Sequence, residues 1–319
     1  RSRLLLSTLK EIPESAEIAS HILSLRAGLI QRLTSGVYMY LPLGVRVRNK
    51  ITSIIREEMN AEGAQEVVLP ILQPRALWES SKRWKEFGPE MMRFKDRKGQ
   101  EYALGPTHEE VVTNLVKGVV KSYRKLPLIL YQIQPKFRDE MRPRFGLIRA
   151  REFLMKDAYS FDRDWEGLEE SYQRMFECYK KIFSRCGLDF VIVEADPGLM
   201  GGKISHEFMV PTENGEDVIV TCSHCGYAAN REMAESRRGK VEEDEQEPLK
   251  MVDTPDTTTI EEVGKLLSVS PQKMIKTLLL TTEKGTVAAL IRGDHELNIT
   301  KLKKILQVEK LEMADSSTI

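Results

Sequence analysis

Cysteine is scarce in this chain: Cys178, Cys186, Cys222 and Cys225 are the only four among 319 residues. That is too few for a disulfide scaffold and points to a reducing, cytoplasmic setting rather than a secretory one. No run of about 18 apolar residues occurs, so neither a membrane span nor a membrane partner is expected. The opening Arg1-Ser2-Arg3-Leu4-Leu5-Leu6 starts basic but reaches Thr8, Lys10 and Glu11 too soon for a signal peptide. It also lacks an initiating Met, so a residue or more is expected before Arg1. Neither sign of charge is in excess: Lys plus Arg and Asp plus Glu are both 48. This excludes a small, uniformly basic binding module but not a local basic patch for nucleic acid. Gly-x-Gly-x-x-Gly and Gly-x-x-x-x-Gly-Lys-Ser/Thr are both missing, which removes support for Rossmann and P-loop nucleotide sites.

What is there suits a folded protein. The chain is 41% hydrophobic and 30% charged, and its length predicts two units. Ile18, Ile22, Leu25, Leu29 and Leu33 recur at helical spacing over 16–33, and Val47, Ile51, Ile54, Ile55 and Met59 predict a second helix stopped at Gly63. Residues 65–71, 128–134, 146–153, 190–194 and 216–221 read as strands. Leu168, Tyr172, Met175, Phe176, Tyr179, Ile182 and Phe183 make one face of a long helix ending at Gly187. This order predicts an α+β fold with a largely antiparallel sheet. Near residue 235 the chain turns acidic, through Glu242-Glu243-Asp244-Glu245-Gln246-Glu247-Pro248, and a linker is expected before a second unit. There Thr259-Ile260-Glu261-Glu262 reads as a capping box, Ser270-Pro271 as a helix start, and 275–281 with 287–291 as paired strands.

Five stretches carry residues suited to chemistry. The first is Phe137-Arg138-Asp139-Glu140, a charged loop, then Arg149-Ala150-Arg151-Glu152-Phe153. Two strands joined this way can present arginine to phosphate and an aromatic face to a base, though a solvated hairpin of surface ion pairs is equally compatible with the spacing. The second is Gly105-Pro106-Thr107-His108-Glu109-Glu110, where Thr107 and Glu110 fit a capping box before Val111 and Val112. The third is Met200-Gly201-Gly202-Lys203-Ile204-Ser205-His206-Glu207-Phe208. In the fourth, Cys222-Ser223-His224-Cys225 offers two of the four ligands a zinc site needs, so a turn without metal is expected. The fifth joins Lys276-Thr277 with Arg292-Gly293-Asp294-His295 and Asn298.

These stretches resemble one family across nearly the whole chain. The first is similar to motif 2 of class II aminoacyl-tRNA synthetases, an Arg-x-Glu strand, a loop, and a strand ending Arg-x-x-x-Phe, met here by Arg149 and Phe153. Residues 36–70, a long helix and a strand ending in proline, resemble motif 1. Residues 137–145 and 151–161 are specifically similar to bacterial-type prolyl-tRNA synthetases. The resemblance implies a class II antiparallel sheet flanked by helices in residues 1–234. It further implies a linker and partial α/β editing insertion in 235–319, with motif 3 and the anticodon-binding domain expected beyond Ile319. It implies activation of L-proline by ATP with Mg2+, transfer to tRNA(Pro), hydrolytic editing of mischarged alanyl-tRNA, and a homodimer formed through motif 1. By the same resemblance Thr107 and Glu109 would hold the proline amine, and Arg138 the α-phosphate and proline carboxylate. Glu140 and Arg149 would orient ATP, Phe153 would stack on adenine, and Lys276 would serve editing. The family often has serine where this chain has Lys203. A threonyl or seryl type is disfavoured by Thr-x-Glu and by the insertion after Asn230. The chain by itself is expected to be inactive, and a non-catalytic binding relative is the rival reading.

Overall fold

A computed structural model of the chain describes residues 3–14, 16–195, 204–213, 215–235, 248–308 and 310–315. The acidic residues 242–247, the glycine-rich residues 200–203 and the last residues 316–319 lie outside those described. The chain divides into two compact units, Arg1–Asp189 and Phe190–Ile319. Among the described residues no helix is long and apolar enough to cross a membrane.

The first unit runs α1 (Ala19–Arg26), β1 (Ile30–Thr34), β2 (Val37–Tyr40), α2 (Pro42–Ala61), β3 (Gln65–Glu66), β4 (Leu72–Pro74), α3 (Arg75–Ser80), α4 (Arg83–Glu86), β5 (Arg93–Lys95), β6 (Glu101–Leu104), α5 (Glu109–Val119), β7 (Leu128–Phe137), β8 (Glu152–Phe161) and α6 (Trp165–Arg185). Its centre is the ten-residue antiparallel ladder of β7 and β8, from Leu128 opposite Phe161 to Phe137 opposite Glu152, with β3 added in parallel on β7.

Alternation along β7 gives this sheet two unlike faces. Ile129, Tyr131, Ile133 and Ala158 pack with Met59 of α2 and with Cys178 and Ile182 of α6. Fully burying side chains of that size contributes about 1.5–3 kcal/mol each, so this layer holds the ladder flat against its helices. On the other face Leu130 and Tyr159 pack under Val111 and Val112 of α5. Farther along that face come Gln132, Gln134 and Lys136, with Asp157, Met155 and Phe153 opposite them. A strand whose polar residues all share one face requires something polar to meet them.

Local signals explain the boundaries. Pro42 opens α2 at its first turn, and Gly63, at φ +74°, ends it. Asp164 caps α6 by accepting a hydrogen bond from the Gly167 amide. The helix expected over 16–33 is shorter. Gly28, at φ +65°, closes α1, and its Cβ position falls 2.4 Å from the Ser7 carbonyl oxygen, so only glycine fits. Ile30 then pairs with Tyr40 in a hairpin. The strand expected over 65–71 forms a ladder only at Gln65–Glu66. Val67 adds one bond, its amide to the Tyr131 carbonyl, before Pro70, which has no N–H to give. The strand expected over 146–153 begins at Glu152, because Phe145 and Gly146 both take the left-handed conformation, at φ 58° and 66°.

The second unit holds one sheet in the order β10 (His206–Met209), β9 (Val191–Glu194), β12 (Ala228–Asn230), β11 (Ile219–Thr221). After α7 (Ile260–Leu267) a second sheet joins β14 (Gly285–Arg292), β13 (Ile275–Thr282) and β15 (Leu311–Met313), with α8 (Ile299–Leu306) between β14 and β15. The Thr259–Glu262 capping box is formed in both directions. Ser270-Pro271 opens only a single 3-10 turn, Pro271–Lys273.

Candidate active site

The polar face of β7 and β8 meets the turn before α5 at a single backbone bond: the Phe137 amide donates to the Gly105 carbonyl at 3.2 Å. The two constellations singled out in the sequence, Thr107–Glu109 and Arg138–Phe153, are therefore adjacent in space. Gly105 is held tightly there. A Cβ on it would lie 2.5 Å from Gln73 Nε2, whose own hydrogen bond, 3.0 Å to the Thr107 carbonyl, fixes the turn. Gln73 in turn accepts from the buried Trp78 indole at 2.8 Å.

The turn does not form the capping box its sequence suggests. His108, not Thr107, occupies the N-cap position of α5, and no side chain caps it. Glu110 is drawn away to Ser81 Oγ at 2.8 Å and Arg83 Nη1 at 2.9 Å. The Thr107 hydroxyl donates instead to the Glu109 carboxylate, 2.7 and 2.8 Å from its two oxygens. Thr107 is buried while Glu109 is half-exposed, so the pair forms an acidic acceptor at the edge of the site. A cationic amine with two N–H bonds to donate is the chemical complement of such a pair.

Arg138 lies just past β7. Its guanidinium carbon sits 5.5 Å from the centre of the Phe153 ring, and its Nε is buried with no hydrogen-bond partner among the described residues. An orphaned, permanently protonated donor is costly to keep unless a ligand satisfies it. Arg138 covers one face of the half-buried Phe153. Glu140 and Arg149 are brought together across the loop, with Arg149 Nε 2.9 Å from Glu140 Oε2. Arg151 Nε also donates to the Glu140 carbonyl at 2.9 Å. The loop base rests on the β1–β2 turn: the Gly36 carbonyl accepts the Arg151 amide at 2.8 Å. Gly36 is at φ +75°, and a Cβ there would meet Pro143 at 2.9 Å.

Beneath Thr107 lies a polar cluster that the sequence reading missed. Lys136, with no exposed surface, donates to Asp157 Oδ1 at 2.8 Å. Gln132 Nε2 donates to Asp157 Oδ2 at 2.8 Å, and the Tyr159 hydroxyl donates to that same oxygen. The His108 amide donates to the Tyr159 oxygen at 3.2 Å. Burial, followed by the nearby Lys136 charge, lowers the His108 pKa and keeps the ring neutral. Its Nε2 faces the Pro70 carbonyl at 3.2 Å, so Nε2 carries the hydrogen. The signal for this cluster was the polar alternation of Gln132, Gln134 and Lys136 in an otherwise apolar strand.

Lys276 belongs to the second unit. It faces Ile291 across β13 and β14, on the face of β13 that continues into Leu278, Leu280 and Thr282, the last two buried. It therefore shares the inward face rather than the exposed one. Nearby in sequence, Arg292 pairs with Asp294 at 2.5 Å, and Gly293 packs where a Cβ would lie 2.5 Å from the Pro271 carbonyl oxygen. Asp294, His295 and Asn298 line a cavity of about 560 Å³ with Arg231 and Glu232. His206, Glu207 and Phe208 lie in β10, where burial followed by Asp217 and Glu232 raises the Glu207 pKa. Cys222 and Cys225 flank a turn closed by the Gly226 amide to the Cys222 carbonyl at 3.1 Å. Among the described residues no cluster of three or more metal-binding side chains is gathered.

The profile of the tRNA synthetase class II core domain (G, H, P, S and T) matches residues 92–255, just over half of the chain and the whole β6–β8 site. The chain belongs to the class II tRNA synthetase core family. A second profile, the aminoacyl-tRNA editing domain, matches residues 254–319 of this class II chain. It is similar to the proline–tRNA ligase of Thermoanaerobacter sp. (strain X514), at 56% identity over 320 aligned positions that cover 100% of this chain and 56% of that protein. The proline–tRNA ligase of Syntrophus aciditrophicus (strain SB) is 55% identical, covering 98% of this chain and 55% of the relative. The chain thus spans a little over half the length of these curated relatives. In fold it is similar to the prolyl-tRNA synthetase of Cryptosporidium parvum solved with halofuginone and AMPPNP. That likeness has a TM-score of 0.54 at 20% identity, over 58% of this chain and 40% of that one. The α+β architecture with antiparallel sheets is that of the class II core.

Proposed function

We propose that this chain carries the amino-acid-activating and editing portions of a proline–tRNA ligase. The observation that carries the reading is the meeting of a hydroxyl–carboxylate pair, Thr107 and Glu109, with an arginine whose Nε is buried and unpartnered. The amine of L-proline fits the first and an anionic carboxylate or phosphate fits the second. The named relatives and the editing profile support it.

In this reading a proline carboxylate oxygen attacks the α-phosphorus of ATP. The bond from that phosphorus to the bridging oxygen of pyrophosphate breaks, leaving prolyl-adenylate. A ribose hydroxyl at the 3′ end of tRNA(Pro) then attacks the prolyl carbonyl and AMP leaves. Neither step needs a covalent enzyme intermediate, so the protein contributes position and charge. Arg138 draws carboxylate and α-phosphate together, Phe153 stacks on adenine, and the Glu140–Arg149 pair holds the loop against ATP. Magnesium arrives as part of the nucleotide substrate, bound chiefly by phosphates and water. Residues 1–234 would form the activating domain, with a motif 1 interface between two copies around Ile51, Ile54 and Ile55. Residues 235–319 would form a linker and part of the editing domain, acting in the cytoplasm.

The full gene product is expected to catalyse proline-dependent exchange between pyrophosphate and ATP. Exchange driven equally well by another amino acid, or none with proline, would end this reading.

Editing follows from a limit on discrimination. Alanine is smaller than proline, and one or two methylenes of lost contact give only about 1–3 kcal/mol. A second, hydrolytic site is therefore required, and we assign Lys276 to it, a reading supported by its position on the inward face of β13. In the full gene product Lys276→Ala is expected to leave proline charging intact but to slow release of alanine from preformed alanyl-tRNA bearing the proline anticodon. Equal rates and selectivity in both proteins would make Lys276 a structural charge only.

A further inference from the structure

We infer that Lys136, Asp157 and Tyr159 act as a buried positioning relay that sets the Thr107–Glu109 acceptor pair, and through it the affinity for the amino-acid amine. The inference rests on the proposed proline reading of that pair.

The geometry is continuous from the sheet to the turn. Asp157 stands opposite Gln132 in the ladder, and Lys136, four residues along the same strand and face, reaches back to it. With Lys136 on one oxygen and Gln132 and Tyr159 on the other, the Asp157 carboxylate accepts three hydrogen bonds. The Tyr159 hydrogen is thereby committed to Asp157, and its oxygen can only accept. It accepts the His108 amide, at the N-cap residue of α5. The Thr107 hydroxyl lies in reach of that oxygen too. Tyr159 thus meets the N-cap amide, the backbone donor that a glutamate or glutamine three residues on satisfies in a capping box. The Thr107 hydroxyl, one residue before the N-cap, caps no amide of α5 and donates to Glu109.

The relay does little for stability alone. A buried ion pair returns little net stabilisation, because desolvation of both charges offsets their attraction. Its value here is directional. Lys136 balances Asp157, whereas Glu109, half-exposed and 3.5 Å from Arg83 Nη1, is the carboxylate of this cluster that faces the edge of the site, and Asp157 holds the tyrosine in one orientation.

The test measures pyrophosphate exchange by the full gene product, with separate KM values for proline and ATP and a thermal melt for each variant. Tyr159→Phe removes both bonds of the hydroxyl and is expected to raise the KM for proline about tenfold, as for one or two lost hydrogen bonds. The KM for ATP and kcat should each stay within about threefold. Lys136→Met should raise the proline KM further, because it leaves Asp157 buried and unpaired. The double variant Lys136→Met with Asp157→Asn should recover most of that loss, since it restores neutrality and keeps an acceptor for Tyr159. If Lys136→Met does not fold, Tyr159→Phe decides the matter. A folded Tyr159→Phe with an unchanged proline KM, or with both KM values raised alike, overturns the relay. Wild-type protein without proline-dependent exchange overturns the underlying reading as well, whereas wild-type exchange with unresponsive variants overturns the relay alone.

Discussion

Replacing Arg138 by alanine should slow proline-dependent pyrophosphate exchange by about 10²–10³-fold, the usual loss when one preorganised donor to developing charge is removed. The reason lies in its surroundings. Arg138 follows the last ladder residue of β7, its amide is held by the Arg151 carbonyl at 2.9 Å, and its guanidinium rests over Phe153. Backbone and side chain are both placed before any substrate arrives, so little reorganisation is needed at the moment of reaction. Its Nε has no partner among the described residues, so the variant removes a ligand contact and breaks no hydrogen bond to them at that atom. Stability should consequently be nearly unaffected. Arg138→Lys keeps the charge but not the planar fork, and should recover only part of the rate. Steady-state exchange rates, read beside a thermal melt, test this; a loss below about threefold would remove Arg138 from the reacting centre.

Glu109→Ala should weaken proline binding by about 2–5 kcal/mol, because the bound ammonium loses its counter-charge inside the site. Glu109 is partly open to solvent, so water can replace some of what is removed, which favours the lower end of that range. The Thr107 hydroxyl, freed from the carboxylate, remains as one acceptor. Glu109→Gln separates charge from shape: it retains an acceptor oxygen and should fall between wild type and alanine. The effect belongs in the KM for proline, with the KM for ATP little changed. An unaltered proline KM in Glu109→Ala would show that the amine sits elsewhere.

Two identical four-residue patterns show how far sequence reading reaches. Thr107-His108-Glu109-Glu110 and Thr259-Ile260-Glu261-Glu262 both read Thr-x-Glu-Glu before an apolar run. At 259 the capping box forms as written, with Thr259 accepting from the Glu262 amide and Glu262 accepting from the Thr259 amide. At 107 it does not form, because Ser81 and Arg83 take Glu110 and the helix begins one residue later, with His108 at the N-cap. Those partners stand 27 and 29 residues away along the chain. Local rules hold where nothing distant competes, and the departure marks the candidate site. The same division runs through the fold. The α2 and α6 helices and the stop at Gly63 were legible from periodicity and glycine. The early end of α1 was not, because the contact between Gly28 and Ser7 crosses the chain. Arg138, Thr107 and Glu109 were found through family resemblance, whereas Lys136 and Asp157 required the register of the ladder to be seen as neighbours.

That ladder has a bearing on how the molecule reaches its native state. Shifting β8 by one residue against β7 would turn every one of its side chains to the opposite side. Asp157 would then be driven among Met59, Cys178 and Ile182, while Ala158 would stand opposite Gln132 and offer it no carboxylate. A misaligned hairpin would bury an uncompensated charge and leave Lys136 without its counter-ion. The groups that shape the binding surface therefore also proofread strand alignment during folding.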